Sequence, residues 1–128
     1  MKLLLDTNVF IWASREPIIL SPSARAALSD PLNERFVSMV SMWEMQIKHS
    51  LGKFPLPDKI DAIGKLWLQP LAAQLLSIEL KHIGRLYDLP PAHRDPFDRI
   101  IIAQALTEGM TIVSTDTVFR SYGVNVIW

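Results

Sequence analysis

The spacing of apolar and polar positions along the chain predicts strands that alternate with helices. Short apolar runs are typical of buried strands, whereas apolar positions that recur every three or four residues indicate helices packed on one side. Five segments have the first pattern: Lys2 to Leu5, Phe36 to Val40, Leu75 to Ile78, Thr111 to Ser114 and Val124 to Ile127.

Helical segments separate these runs, and several of them have a residue pattern at one end that is typical of a helix start or a helix end. Ser21 followed by Pro22 favours a helix start, because serine is a preferred N-cap and proline suits the first helical position. This helix should end at Asp30, before Pro31. The other predicted helices are Thr7 to Ser14, Ser41 to Leu51, Asp58 to Leu68, Glu79 to Tyr87, Asp95 to Glu108 and Asp116 to Tyr122. Glycine caps are expected after two of them, at Gly52 and Gly109.

The alternation predicts a three-layer α/β/α sandwich with a central, mainly parallel sheet, because right-handed crossovers place helices on both faces. A chain of 128 residues can bury enough surface for one core, so we expect a single domain over residues 1–128. In such sheets, ligands bind beyond the carboxyl ends of the strands.

Composition narrows the functional classes. The chain has no cysteine, which excludes disulfides and thiolate zinc sites. Its apolar runs are shorter than the ~20 residues that span a bilayer, so we expect no membrane partner and a cytoplasmic location. Thirteen basic and thirteen acidic residues cancel, so a polyanion would have to be bound locally rather than by a global positive field.

Four carboxylates fall at the predicted carboxyl edge of the sheet. Asp6 follows the first strand, Glu44 lies early in the helix after the second, Asp98 lies in the first turn of the helix at Asp95, and Asp116 follows the TIVS strand. Like charges that converge oppose folding unless a cation binds between them, and an all-oxygen ligand set suits Mg²⁺ or Mn²⁺. The sequence therefore predicts a metal site there.

Three of these acids have simpler alternatives when each is considered alone. Asp6 could only cap the following helix, and Asp116 could be a turn residue or an N-cap. Glu44 has two such alternatives: Ser41 and Glu44 match a capping box, and Glu44 with Lys48 is a favourable i,i+4 pair.

Asp98 is harder to explain in this way. It shares one helical face with apolar residues, so it should point inward; these are Ile101, Ile102 and Ala105. Pro96 fits the first helical position, which makes Asp95 the predicted N-cap and a supporting residue rather than a ligand.

Four segments together resemble a PIN domain, and specifically the VapC-like toxins of bacterial toxin-antitoxin pairs: LLLDTNVFIW, VSMWEMQIKHSLGKF, HRDPFDRIIIAQA and TIVSTDTVF. The resemblance implies a metal-dependent ribonuclease with Mg²⁺ or Mn²⁺ as cofactor, RNA as substrate, an antitoxin partner and a homodimer. The family's acidic ligands match the four carboxylates, with Asn8 and Thr115 as polar supports.

Several basic residues lie close to the acidic motifs in the sequence and are candidates for phosphate contacts. They are Lys48, His49, Lys53, Arg94 and Arg99. Two of them have simpler interpretations: Lys48 could only pair with Glu44, and Lys53 could only be solvated.

Other classes of protein also place acids at strand ends. A phospho-accepting receiver needs an acidic neighbour for Asp6 and a lysine near Asp116, and neither is present. A phosphatase of the Asp-x-Asp type would need an acid where Asn8 stands. A catalytically inactive PIN-like domain should lose acids, and all four are present. An RNA-processing PIN nuclease that is not a toxin stays open as the alternative.

Overall fold

The computed structural model describes residues 1–91 and 95–128. The strands are β1 (Lys2–Leu5), β2 (Glu34–Ser38), β3 (Ala73–Leu76), β4 (Thr111–Val113) and β5 (Val126–Ile127). The α-helices are α1 (Thr7–Arg15), α2 (Pro22–Ser29), α3 (Met39–Ser50), α4 (Ile60–Leu68), α5 (Leu80–Arg85) and α6 (Pro96–Glu108). Short 3₁₀ helices cover Pro17–Ile19, Leu86–Asp88 and Thr117–Tyr122.

All five strands pair in parallel, in the order β3-β2-β1-β4-β5. In this register Leu5 at the end of β1 lies beside Val37 of β2 and Val113 of β4. The residues that follow these positions therefore emerge at the same edge of the sheet. The predicted carboxyl-edge site depends on this alignment.

The central strand separates two hydrophobic cores, because successive side chains of a strand point to opposite faces. Leu3 and Leu5 belong to one core and Leu4 to the other. The first core includes side chains of α1, α2, α3 and α4, and the second is built largely on α6 and the 3₁₀ helix after β4. Helices thus cover both faces of the sheet, and the predicted three-layer α/β/α fold is confirmed.

One difference from the predicted elements bears on the site. Helix α3 begins at Met39, and its N-cap is Ser38, whose Oγ accepts from the backbone N–H of Val40 at 3.1 Å. Ser41 therefore lies inside the helix, and the capping box predicted for Ser41 and Glu44 is wrong. Any serine near the start of a helix can serve as its cap, so the sequence pattern did not decide between the two.

The other differences are local. Strands β2 and β3 each begin two residues earlier than predicted, and β5 begins two residues later. The segment after Asp116 is a 3₁₀ helix rather than an α-helix. Gly52 and Gly109 have positive φ angles, as expected of residues that end helices. Across residues 1–91 and 95–128, no helix combines the length and the apolar character needed to cross a membrane.

Candidate active site

Asp6 joins the ends of β1 and β4. Its backbone N–H donates to the Val113 carbonyl at 3.0 Å, and its Oδ2 accepts from the Ser114 hydroxyl at 2.8 Å. Its Oδ1 accepts from the Thr7 N–H at 2.7 Å, so Asp6 does cap α1. Capping explains only one of the two carboxylate oxygens, and the residue is 8% exposed. The other oxygen is directed at the neighbouring strand.

The charge of Asp6 is held in an unfavourable setting. Burial raises the pKa of its carboxyl, and the nearby carboxylates of Glu44 and Asp116 raise it further, against the lowering effect of the bonds from Ser114 and Thr7. Two of the other predicted acids are therefore close enough to Asp6 to repel it. A cation at this edge would offset that repulsion, so the donor set fits a hard divalent metal ion.

This setting predicts a pH-dependent stability. Because the pKa of Asp6 is raised above its ordinary value, the folded protein binds a proton more readily than the unfolded chain does. Asp6 therefore lowers the free energy of unfolding at neutral pH, and this cost disappears as the pH falls through the raised pKa. In chelator, Asp6→Asn should melt above wild type at pH 7, and the difference should vanish near pH ~4. Thermal melts across this range test it, and a difference independent of pH would contradict it.

Glu44 lies in α3 and points at the start of α1. Its Oε1 accepts from the Thr7 hydroxyl at 2.8 Å, and that hydroxyl also lies 2.8 Å from the Ser41 Oγ. Its Oε2 forms an ion pair with the Lys48 ammonium at 3.0 Å, so the predicted i,i+4 pair is present. The Glu44 side chain is 11% exposed and that of Lys48 is 40% exposed. A largely buried carboxylate is thus fixed beside the end of β1.

Asp116 begins the 3₁₀ helix after β4. Its Oδ1 accepts from the Val118 N–H at 3.0 Å, so the N-cap alternative is observed. Its own backbone N–H donates to the Ser114 Oγ at 3.0 Å. The Ser114 hydroxyl therefore connects Asp6 and Asp116, and both carboxylates lie at the same edge.

Asp98 lies in the first turn of α6. Asp95 is the N-cap of this helix, since its Oδ1 accepts from the Phe97 and Asp98 N–H groups at 2.9 and 3.3 Å, and Pro96 opens the helix. The predicted N-cap role of Asp95 is confirmed. Asp98 is half-buried, and the residues on its predicted face, Ile101, Ile102 and Ala105, are buried.

An aromatic contact joins α3 and α6 next to Glu44 and Asp98 in the sequence. Trp43 and Phe97 directly precede these two acids, and their rings meet edge to face with centroids 5.4 Å apart. Helices α3 and α6 are in contact here. This contact holds the helix that carries Glu44 against the helix that carries Asp98.

Among the described residues, no three of the four predicted acids have ligand atoms that all lie within 4.8 Å of one another. A group whose ligand atoms all lie within 4.8 Å of one another occurs elsewhere in the described chain, at Glu79, His82 and Glu108. That group already has a cation, because the Lys81 ammonium lies 2.8 Å from a Glu108 oxygen. The role of the four predicted acids as ligands thus stays a prediction.

The remaining predicted residues differ in their surroundings. Arg99 donates to the Pro90 carbonyl at 2.7 Å and so ties α6 to the segment before it. Asn8 and Thr115 are exposed, and their supporting roles stay predictions. Arg94 and its neighbour His93 lie outside the described residues.

The sequence interpretation missed the hydroxyl groups that orient the acids. Thr7, Ser41 and Ser114 are buried, and together they connect to Asp6 and Glu44 by hydrogen bonds. Two of them flank acids at strand ends, as in Asp6-Thr7 and Ser114-x-Asp116. A small hydroxyl residue within two positions of a strand-end acid is the sequence pattern that could have identified them.

Comparison with known proteins agrees with the fold described above. The chain is 30% identical to ribonuclease VapC22 of Mycobacterium tuberculosis over 122 residues, which cover 93% of this chain and 90% of that protein. A chain in the DNA-bound VapBC2 structure from Rickettsia felis matches with a TM-score of 0.72 at 15% identity, covering 98% of this chain and 97% of its own length.

A chain in the DNA-bound VapBC structure from Salmonella typhimurium matches in the same way, with a TM-score of 0.69 at 16% identity and coverages of 98% and 96%. At such identities these structures bear on the fold. The PIN domain family matches residues 3–125 of the sequence. The chain therefore belongs to the PIN domain family.

Proposed function

We propose that the chain is a metal-dependent ribonuclease that hydrolyses RNA phosphodiester bonds and acts as the toxin of a toxin-antitoxin pair. The observation that carries the proposal is the buried Asp6 carboxylate, which Glu44 and Asp116 face at the carboxyl edge of the sheet. The 30% identity to a ribonuclease over nearly the whole length of both proteins supports it.

The chain supplies oxygen ligands that are already oriented. Ser114 and Thr7 hold the two oxygens of Asp6, and the Thr7 hydroxyl holds one oxygen of Glu44. When bound, Mg²⁺ or Mn²⁺ lowers the pKa of a coordinated water and stabilises negative charge on the reacting phosphate. The acids of this site thus bind and orient, and the reaction requires no side-chain nucleophile.

The partners follow from the relatives. The solved structures matched by this chain include VapBC assemblies and a toxin-antitoxin complex from Klebsiella pneumoniae. By analogy we propose an antitoxin that binds this chain, a homodimeric toxin, and action in the cytoplasm, where RNA substrates are found.

Metal removal tests the proposal. Purified protein incubated with structured RNAs should cleave them with Mn²⁺ or Mg²⁺ and lose cleavage in chelator, because the acids alone supply no nucleophile. Adding back either ion should restore the same cut sites, mapped at the RNA ends. Undiminished cleavage in chelator by a preparation free of contaminating nuclease would rule the mechanism out.

A further inference from the structure

Lys48 is a positive charge placed directly against one of the proposed ligands. Its ammonium lies 3.0 Å from Glu44 Oε2, while the Thr7 hydroxyl occupies Oε1 at 2.8 Å. Both oxygens of Glu44 therefore have partners from the chain itself. This ion pair involves a proposed ligand, whereas the ion pairs at Glu79 and Glu108 lie away from the proposed site.

An ammonium and a divalent cation compete for such an oxygen. Two positive charges against one carboxylate repel strongly in a partly buried setting, because the local dielectric screens them less than water does. If Glu44 binds a metal ion through Oε2, Lys48 has to move. The move is easy, because the Lys48 side chain is 40% exposed and its stem is flexible.

We infer that Lys48 is the internal counter-ion of the metal-free site, and that metal binding releases it to contact a phosphate of the RNA next to the cleavage centre. This inference rests on the proposed function and adds that Lys48 couples metal binding to RNA binding. The chain would gain a phosphate-binding charge when its metal arrives. Before that, the same charge reduces the repulsion between Glu44 and Asp6.

The first experiment measures Mn²⁺ affinity by calorimetry in the absence of RNA. Lys48→Met removes the competing charge and keeps a good helix former, so the variant should fold and bind Mn²⁺ tighter by roughly threefold to tenfold. Lys48→Arg should stay near wild type. The matched control is Lys65→Met, since Lys65 also lies exposed on a helix four residues after an acid, Asp61, but on α4, which carries none of the proposed ligands.

The second experiment measures the RNA concentration that gives half-maximal single-turnover cleavage, with saturating Mn²⁺ and at several salt concentrations. A phosphate contact to a single strand contributes about −0.7 to the slope of log affinity against log salt. Lys48→Met should therefore require more RNA and show a shallower slope by about that amount. Lys65→Met should match wild type in both quantities.

The outcomes distinguish a failure of the proposed function from a failure of the inference about Lys48. A wild-type chain that binds no Mn²⁺ and cleaves no RNA overturns the proposed function and this inference with it. Wild-type metal binding and cleavage, together with unchanged Mn²⁺ affinity in a folded Lys48→Met, overturn only the counter-ion role. Tighter Mn²⁺ binding with an unchanged salt slope overturns the phosphate contact.

Discussion

Replacing Asp98 by asparagine should lower single-turnover RNA cleavage by roughly 10²-fold or more, whereas the same change at Asp95 should leave most of the rate. The two residues are three positions apart, yet we expect them to have different tasks. Asp95 caps α6 through its Oδ1, and asparagine caps about as well as aspartate. Asp98 is a proposed ligand, and asparagine there removes a charge that attracts the metal.

Stability and metal affinity separate the two variants further. Asp98→Asn should weaken Mn²⁺ binding and leave the melting temperature of the metal-free protein unchanged or higher, because one of several like charges is removed. Asp95→Asn should change neither quantity much. The measurements are Mn²⁺ calorimetry, thermal melts in chelator and single-turnover cleavage of both variants. Equal losses of activity would mean that Asp95 also binds or orients the metal.

Expression of the wild-type chain without the proposed antitoxin should arrest bacterial growth, and Asp116→Asn should relieve the arrest. The asparagine keeps the bond that starts the 3₁₀ helix, since its side-chain oxygen still accepts from the Val118 N–H. It removes one of the carboxylates that face Asp6. The expected effect in colony counts is large, because the change acts on catalysis rather than on folding.

A second asparagine substitution provides the control. Asp58 is also exposed, and its Oδ1 accepts from the following Lys59 N–H at 2.7 Å, but it lies on the approach to α4. Asp58→Asn should stay as toxic as wild type. If Asp116→Asn is expressed, folded and fully toxic, then toxicity does not arise from this site.

The fold was predictable because each element leaves a pattern of its own. The apolar run of β1 and the serine-proline start of α2 both depend on neighbouring residues only, and both appear in the structure. The same holds for Asp95 with Pro96. The weaker predictions concern boundaries: Ser38 and Ser41 are chemically equivalent caps, and the choice depends on where β2 stops pairing with β1.

The connections within the site were not predictable in this way. That Ser114 donates to Asp6, or that Thr7 donates to Glu44, depends on which strands lie side by side. Residue types and local spacing contain no such information. Neither do they show that the burial of Asp6 makes its charge costly, since a strand-end aspartate also occurs in exposed caps.

The hydrogen bond from Ser114 to Asp6 joins residues separated by 108 positions, and β1 lies between β2 and β4 in the sheet. A growing polypeptide can form the pairing of β1 with β2 early, but the edge that holds Asp6 is incomplete until β4 has been translated. Pairings over such separations form late and slowly in folding. The edge that carries the proposed site would therefore be among the last parts of the fold to form, because it needs β4 to pair with β1.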